Sequence, residues 1–140
     1  MADLTLDDAR RISAAAEAKA IELATTVTIT VVDSGGHVRT QSRMDGARFG
    51  TVMISTNKAF TAAAAGFPSK VLADLTQPGQ PLFGLSDAAG GRIVIFGGGV
   101  PIVQDEEIVK VTSPDDHDVT RGNLCIKGRF GFQFVQNRKP

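Results

Sequence analysis

The run Thr26-Val-Thr-Ile-Thr-Val-Val-Asp33 constrains the fold of this chain more than any other stretch. It alternates hydroxyl-bearing and apolar β-branched residues. Such side chains are stiff in a helix but pack well on a pleated surface, and a period of two sends neighbours to opposite faces. The run therefore predicts a strand. Ser34-Gly35-Gly36 follows and supplies a tight turn that needs positive φ, so His37 to Arg43 is predicted to pair back as a second, antiparallel strand.

Helices are predicted on either side of this hairpin. Thr5-Leu-Asp-Asp8 has the spacing of a helix start, in which the Thr hydroxyl accepts a free backbone N–H. Behind it Leu6, Ala9, Ile12, Ala16, Ala20, Leu23 and Ala24 fall on one stripe, giving a first helix from about Leu6 to about Ala24. Met44 to Ala47 reads as a loop. A second helix is expected from Phe49 to Ala65, ended by Gly66-Phe-Pro68, and a short third from Ser69 to Leu75 with Ser69 as its cap. Thr76 to Gly91 carries Pro78, Gly79, Pro81 and Gly84 and reads as a loop suited to covering a site. Arg92 to Phe96 is expected to be a short apolar strand, broken by Gly97-Gly98-Gly99, with Val100 to Gln104 extended beyond it. After a turn at Asp105-Glu106, Glu107 to Thr112 completes the prediction as a last antiparallel strand.

These elements define an α/β fold of the α+β kind, an antiparallel sheet flanked by helices. From Ser113 onward the periodicity is gone. The expected organisation is one domain over residues 1–112 and a tail, 113–140, that is not a domain of its own.

The totals narrow the function classes. A chain of 140 residues holds one core. Its 15 basic and 15 acidic residues cancel, which argues against a nucleic-acid surface and permits self-association. The single Cys excludes an internal disulfide. The acidic N-terminus has no apolar signal-like run, and no stretch approaches the roughly 20 apolar residues that span a bilayer. The expectation is a cytoplasmic protein that does not enter a membrane.

Several residues are candidates for chemistry. Asp33 ends a strand before two glycines, where a carboxylate accepts turn hydrogen bonds or meets a ligand. Arg43, Asp45 and Lys58, if they converge, can bind a carboxylate and move a proton; the same residues also suit a structural ion-pair network. Lys58 sits among Ala59, Thr61, Ala62 and Ala63, where a charge needs a partner or a polar ligand. Gly97, Gly98 and Gly99 leave backbone N–H groups open to an anion or a flat ligand, or else form a bulge. No strand–GxGxxG–helix pattern is present, so dinucleotide binding is rejected.

Val31-Val-Asp-Ser-Gly-Gly-His37, Arg43-Met-Asp-Gly-Ala47, Asn57-Lys-Ala-Phe-Thr-Ala62 and Gly97-Gly-Gly-Val-Pro101 occur in an order and spacing that resemble the GlcG/HbpS family. That family includes the C-terminal domain of PduO-type proteins, and the resemblance runs from about Leu4 to Val103. It implies profilin- or PAS-like layering of helices on an antiparallel sheet, usually in a homo-oligomer. It also implies binding of haem or another tetrapyrrole, or a role in small-metabolite operons. By residue type, His37, Met44, Met53 and His117 are the candidates for an axial haem ligand.

The end of the chain resembles something else. Glu107 to Phe132, with Gly122-Asn-Leu-Cys125-Ile-Lys127-Gly-Arg129 at its centre, is similar to the N-terminal iron–sulfur region of molybdopterin-dependent formate dehydrogenases. The resemblance implies a cluster ligand at Cys125 and an electron-path lysine at Lys127. One thiolate cannot hold a cluster that takes four, so formate oxidation by this chain alone is excluded. A seam therefore lies near Val103 to Lys110, where both families place a short acidic turn between apolar strands.

Three functions compete. One is a small-molecule, haem-type binding protein. Another is a small enzyme working on a hydroxy or carboxylate compound through Arg43, Asp45 and Lys58. A third is an accessory protein that pairs with a formate dehydrogenase subunit.

Overall fold

The computed structural model describes residues 4–102. The expected last strand, the seam beyond Ile102, His117, Cys125 and Lys127 lie outside them.

The first helix, α1, spans Leu6–Glu22. The Thr5 hydroxyl accepts the Asp8 backbone N–H at 3.1 Å and caps it as its sequence predicts. Ala9, Ile12, Ala16 and Ala20 are its buried residues. Three of these four are Ala, which lets the helix axis approach the sheet closely.

Strand β1 covers Thr28–Val32 and β2 covers Val38–Arg43, paired antiparallel with a bulge between Val31 and Val32. Gly36 closes the turn at φ +79°, and a Cβ there would strike the Phe60 ring at 2.6 Å, so the position needs glycine twice over. Ile29 and Val31 face α1. Ile29 packs with Ala16, Ala20, Val27 and Met44, and Val31 packs with Ala9, Ile12 and Leu4. Burying an Ile or Val side chain of this kind contributes about 1.5–3 kcal/mol.

The other face of the hairpin carries the threonines, and α2 (Gly50–Ala65) covers it. Thr28 shares a hydrogen bond with Thr51 at 2.6 Å, and Thr30 shares one with Ser55 at 2.7 Å. Gln41 of β2 reaches in as well, donating to Thr30 at 2.8 Å, to Thr56 at 2.7 Å and to the Val52 carbonyl at 3.1 Å. Thr30 is 1% exposed. The contact is buried but sealed by hydroxyl and amide groups rather than by apolar atoms.

Helix α2 ends at Gly66, which adopts the left-handed conformation (φ 73°) that the sequence calls for there. The short α3 spans Val71–Leu75. Residues 76–91 form turns, among them a 3-10 turn at Leu85–Asp87 and an irregular turn at Ala88–Gly91. Ala89 and Gly90 inside that last turn are both left-handed, so it is no regular helix.

Two local expectations are corrected. Ser69 does not cap α3; the cap position is Lys70, and the Ser69 hydroxyl donates instead to the Phe96 carbonyl at 2.8 Å. Arg92 to Phe96 joins no ladder among the described residues, whose sheet has two strands. It is held by side chains. The Thr61 hydroxyl accepts the Val94 N–H at 2.9 Å and lies 3.3 Å from the Arg92 carbonyl. Apolar sequence alone does not reveal that a strand-like segment is hung on a helix this way.

Candidate functional site

The site is built where α2 meets the glycine segment. Ser69 is the fastener: its N–H donates to the Gly99 carbonyl and its hydroxyl accepts the Gly99 N–H, both at 2.9 Å. Ser69 is fully buried, so these bonds fix residues 96–99 against the start of α3.

Lys58 lies on this segment. A Cβ at Gly98, whose φ is +124°, would sit 2.7 Å from the Lys58 ammonium nitrogen and 3.0 Å from its Cδ. A Cβ at Gly99 would collide with the Lys58 backbone carbonyl. Glycine is thus required at both positions, at Gly98 by its own positive φ and at Gly99 by the main chain of the lysine. The ammonium stands 4.7 Å from the centre of the Phe96 ring, an attractive cation–aromatic arrangement. Lys70 flanks the same segment, its Cβ lying 3.5 Å from where a Gly97 Cβ would be.

A second cation–aromatic pair adjoins. The Arg92 guanidinium lies over the Phe60 ring at 3.7 Å, and Phe60 in turn backs the hairpin turn at Gly36. Lys58, Lys70 and Arg92 gather positive charge along residues 92–98. Phe96 keeps 49% of its surface exposed, leaving an open aromatic edge beside the charge.

The predicted residues separate into groups. Lys58 joins Gly97, Gly98 and Gly99. Arg43 does not join them: it pairs across the hairpin with Thr28, whose side chain meets Thr51 on α2. Lys58 is seven residues further along α2, about 10 Å of helix rise. The Arg43 guanidinium donates to the Ala47 carbonyl at 3.1 Å and closes the loop that also carries the exposed Asp45. Arg43 and Asp45 therefore occupy one end of the hairpin, while Lys58 sits two turns of helix toward the other.

Asp33 works within its own turn. One carboxylate oxygen accepts the N–H groups of Gly35 and His37, each at 3.0 Å. The His37 backbone bond, foremost, holds its pKa below the ordinary 3.8; partial desolvation opposes this, and the Gly35 bond and the imidazole add to the lowering. His37 is exposed, its Nδ1 3.4 Å from the Asp33 carboxylate. Met53 is exposed on α2, whereas Met44 packs into the core with Ala16, Ala20 and Ile29. Among the described residues, no cluster of three or more His, Cys, Asp or Glu is placed to hold a metal ion, and no helix is long and apolar enough to cross a membrane.

Sequence reasoning missed Phe96, Phe60, Arg92, Lys70 and the fastening role of Ser69. Phe96 carried a readable signal, a large aromatic immediately before three glycines. Arg92 and Ser69 carried none, because their partners lie some thirty positions away.

The family model described as haem degrading protein HbpS-like matches residues 4–111, most of the chain. The chain belongs to the HbpS-like family. It is 39% identical over 127 residues to a 15.0 kDa protein from the dhaT-dhaS intergenic region of Citrobacter freundii, covering 91% of this chain and 89% of that one. It is 32% identical over 102 residues to the corrinoid adenosyltransferase PduO of Salmonella typhimurium, spanning 73% of this chain but only 30% of PduO. Among solved HbpS-like structures, the Klebsiella pneumoniae protein ORFY superimposes with a TM-score of 0.74 at 38% identity, over 78% of this chain and 75% of that one. The PduOC:Heme complex superimposes with a TM-score of 0.65 at 33% identity, over 68% and 69%. A molybdopterin oxidoreductase Fe4S4 domain model matches residues 101–137, so the two family matches share residues 101–111.

Proposed function

We propose that this HbpS-like chain binds a flat, carboxylate-bearing small molecule of the tetrapyrrole class, haem foremost, at the junction of Lys58 with Gly97–Gly99. The observation that carries the reading is the lysine laid over the Gly98 backbone beside a half-exposed Phe96. A tetrapyrrole presents a broad apolar face and peripheral carboxylates. The face suits the Phe96 ring and a backbone stripped of side chains, and the carboxylates suit Lys58, Lys70 and Arg92, since charge-assisted hydrogen bonds are the strong ones. The likeness to the PduOC:Heme complex supports the same ligand class.

The residues present fit such a group at its rim and on its face. His37 and Met53 would offer the iron exposed side chains of a ligating type, while Met44 is committed to the core. The Asp33 carboxylate, 3.4 Å from the His37 Nδ1, is placed to orient that imidazole as a ligand. Bound haem would supply the redox-active iron; the chain's own part is to hold the carboxylates, cover one face and limit access of water.

Titration of the chain with haem, followed through the Soret band, tests the reading. A shifted band that saturates at about micromolar haem supports it, and the shift should change character in His37→Ala or in Met53→Leu. A spectrum that stays that of free haem throughout the titration overturns it. The acid–base enzyme reading finds less support, because Lys58 keeps company with the glycines rather than with Arg43 and Asp45.

A further inference from the structure

The turn between β1 and β2 is made of residues that do little to fix its shape. Ser34-Gly35-Gly36 contains two glycines, the residues with the most backbone freedom to lose on folding. Yet the turn presents the His37 imidazole in a definite posture. A Cβ at Gly35 would lie 2.9 Å from the His37 Nδ1 and 3.0 Å from its Cε1, so the ring is folded back over that glycine. Nδ1 also stands 3.4 Å from the Asp33 carboxylate. Nε2 is thereby the nitrogen left open to a ligand, on a side chain that is 83% exposed.

The hydrogen bonds of the turn are internal to it. Gly36 donates to the Asp33 carbonyl at 3.0 Å, and the Asp33 carboxylate accepts the N–H groups of Gly35 and His37. These bonds close the turn without tying it to the helices.

The tie is Phe60. Gly36 is buried, and a Cβ there would stand 2.6 Å from the Phe60 Cδ2 and 3.1 Å from its Cε2. The ring thus lies directly on the backbone of the residue next to His37. Two contacts hold the ring in place. It grows from α2, where the neighbouring Thr61 hydroxyl accepts the Val94 N–H at 2.9 Å and lies 3.3 Å from the Arg92 carbonyl. Arg92, its main chain fixed there, lays its guanidinium over the ring at 3.7 Å, an attractive stack for a planar cation.

We propose that Phe60 is a positioning residue for His37. Held by Arg92 and seated on Gly36, its ring fixes the hairpin turn so that the imidazole stands with Nδ1 toward Asp33 and Nε2 outward. Groups that orient a ligating histidine count for affinity, and a side chain already in its bound posture loses less freedom on binding. For its ligand this role rests on the tetrapyrrole reading above; the posture of the turn exists without any ligand.

Proton nuclear magnetic resonance on the ligand-free full chain should show contacts between the Phe60 ring and the Gly36 Hα, and between the His37 imidazole and Gly35. Phe60→Leu, which stays apolar but has no ring, should abolish the His37–Gly35 contacts, and Phe60→Tyr should keep them. In haem titrations Phe60→Leu should bind about tenfold more weakly and give the spectrum of His37→Ala. Phe60→Tyr should restore both affinity and spectrum. Adding Phe60→Leu to His37→Ala should cost no further affinity, as expected of a residue that acts through the histidine. If Phe60→Leu does not fold, Arg92→Gln replaces it, since removing the clamp should weaken the same contacts. Unchanged contacts in Phe60→Leu or, failing that, in Arg92→Gln overturn the proposal, as does a haem spectrum indifferent to His37→Ala. A chain that binds no haem sinks the tetrapyrrole reading alone, and the proton contacts then decide whether Phe60 positions His37.

Discussion

The two faces of the hairpin are covered by different chemistry. Toward α1 the contact is mainly apolar, Ile29 and Val31 against Ala9, Ile12, Ala16 and Ala20, with a single hydroxyl pair, Ser13 on Thr40 at 2.7 Å. Toward α2 it is a ladder of hydroxyls, Thr28 on Thr51 and Thr30 on Ser55, with Gln41 reaching across. Apolar packing is strong but non-directional, and a helix can settle on it in several ways. Hydrogen bonds of 2.6 to 2.7 Å fix both rotation and register of the helix that makes them. The helix held by direction is the one that carries Lys58. The same device recurs further on, where Thr61 and Ser69 hang the glycine segment on the helical layer. The α1 side supplies stability, and the α2 side supplies position.

Substitutions on each side should lose stability by different routes, which urea denaturation can separate. Ile29→Ala on the apolar side removes buried methyl groups and leaves a cavity, so about 4 kcal/mol should be lost. At the glycine segment, Gly99→Ala drives a Cβ into the Lys58 carbonyl, a main-chain obstacle that cannot rotate away. A loss of about 3 kcal/mol is expected, with ligand binding lost alongside.

On the hydroxyl side Thr30→Val keeps the shape but strips Ser55 and Gln41 of a partner, at about 1–2 kcal/mol. Adding Ser55→Ala should return part of that loss, since removing both members of a pair costs less than orphaning one. If Thr30→Val proves neutral, the hydroxyl ladder does not hold α2 and the contrast between the faces fails. The smallest effect belongs to the turn. The Asp33 pKa lies below 3.8, so its hydrogen bonds contribute fully above that value and fade only as pH falls further, through the lowered folded-state value. Carboxyl chemical shifts of Asp33 followed from pH 5 downward (roughly the range over which carboxylates protonate) should show a midpoint below the ordinary one, and Asp33→Asn should abolish this acid dependence.

The helices and the hairpin were legible because their signals are local. Thr5 caps α1, β-branched alternation makes β1, and Gly66 ends α2 in the left-handed conformation. What escaped depends on distant partners. The Thr face of β1 reads as a polar surface until α2 brings Thr51 and Ser55 to cover it. Arg92 to Phe96 has strand composition, yet among the described residues it joins no ladder and Thr61 and Ser69 hold it. Within the site, Lys58 and the three glycines stood out by residue type. Their meeting followed from the fold alone, as did the distance of Arg43 from them. The four motifs that carry the resemblance to the HbpS-like family were visible throughout, since they depend on order and spacing rather than on contacts.

The central claim is that Lys58, seated on Gly98 and Gly99, holds a carboxylate of a flat ligand. Its most direct test compares haem with haem dimethyl ester, which keeps the ring and the iron but lacks free carboxylates, on the unsubstituted chain and on Lys58→Met. The account predicts that the unsubstituted chain prefers the free acid by at least about tenfold, roughly one charge-assisted hydrogen bond. Lys58→Met should lose most of that preference, keeping only the part that Lys70 and Arg92 supply. Equal affinity of the unsubstituted chain for acid and ester would contradict the account.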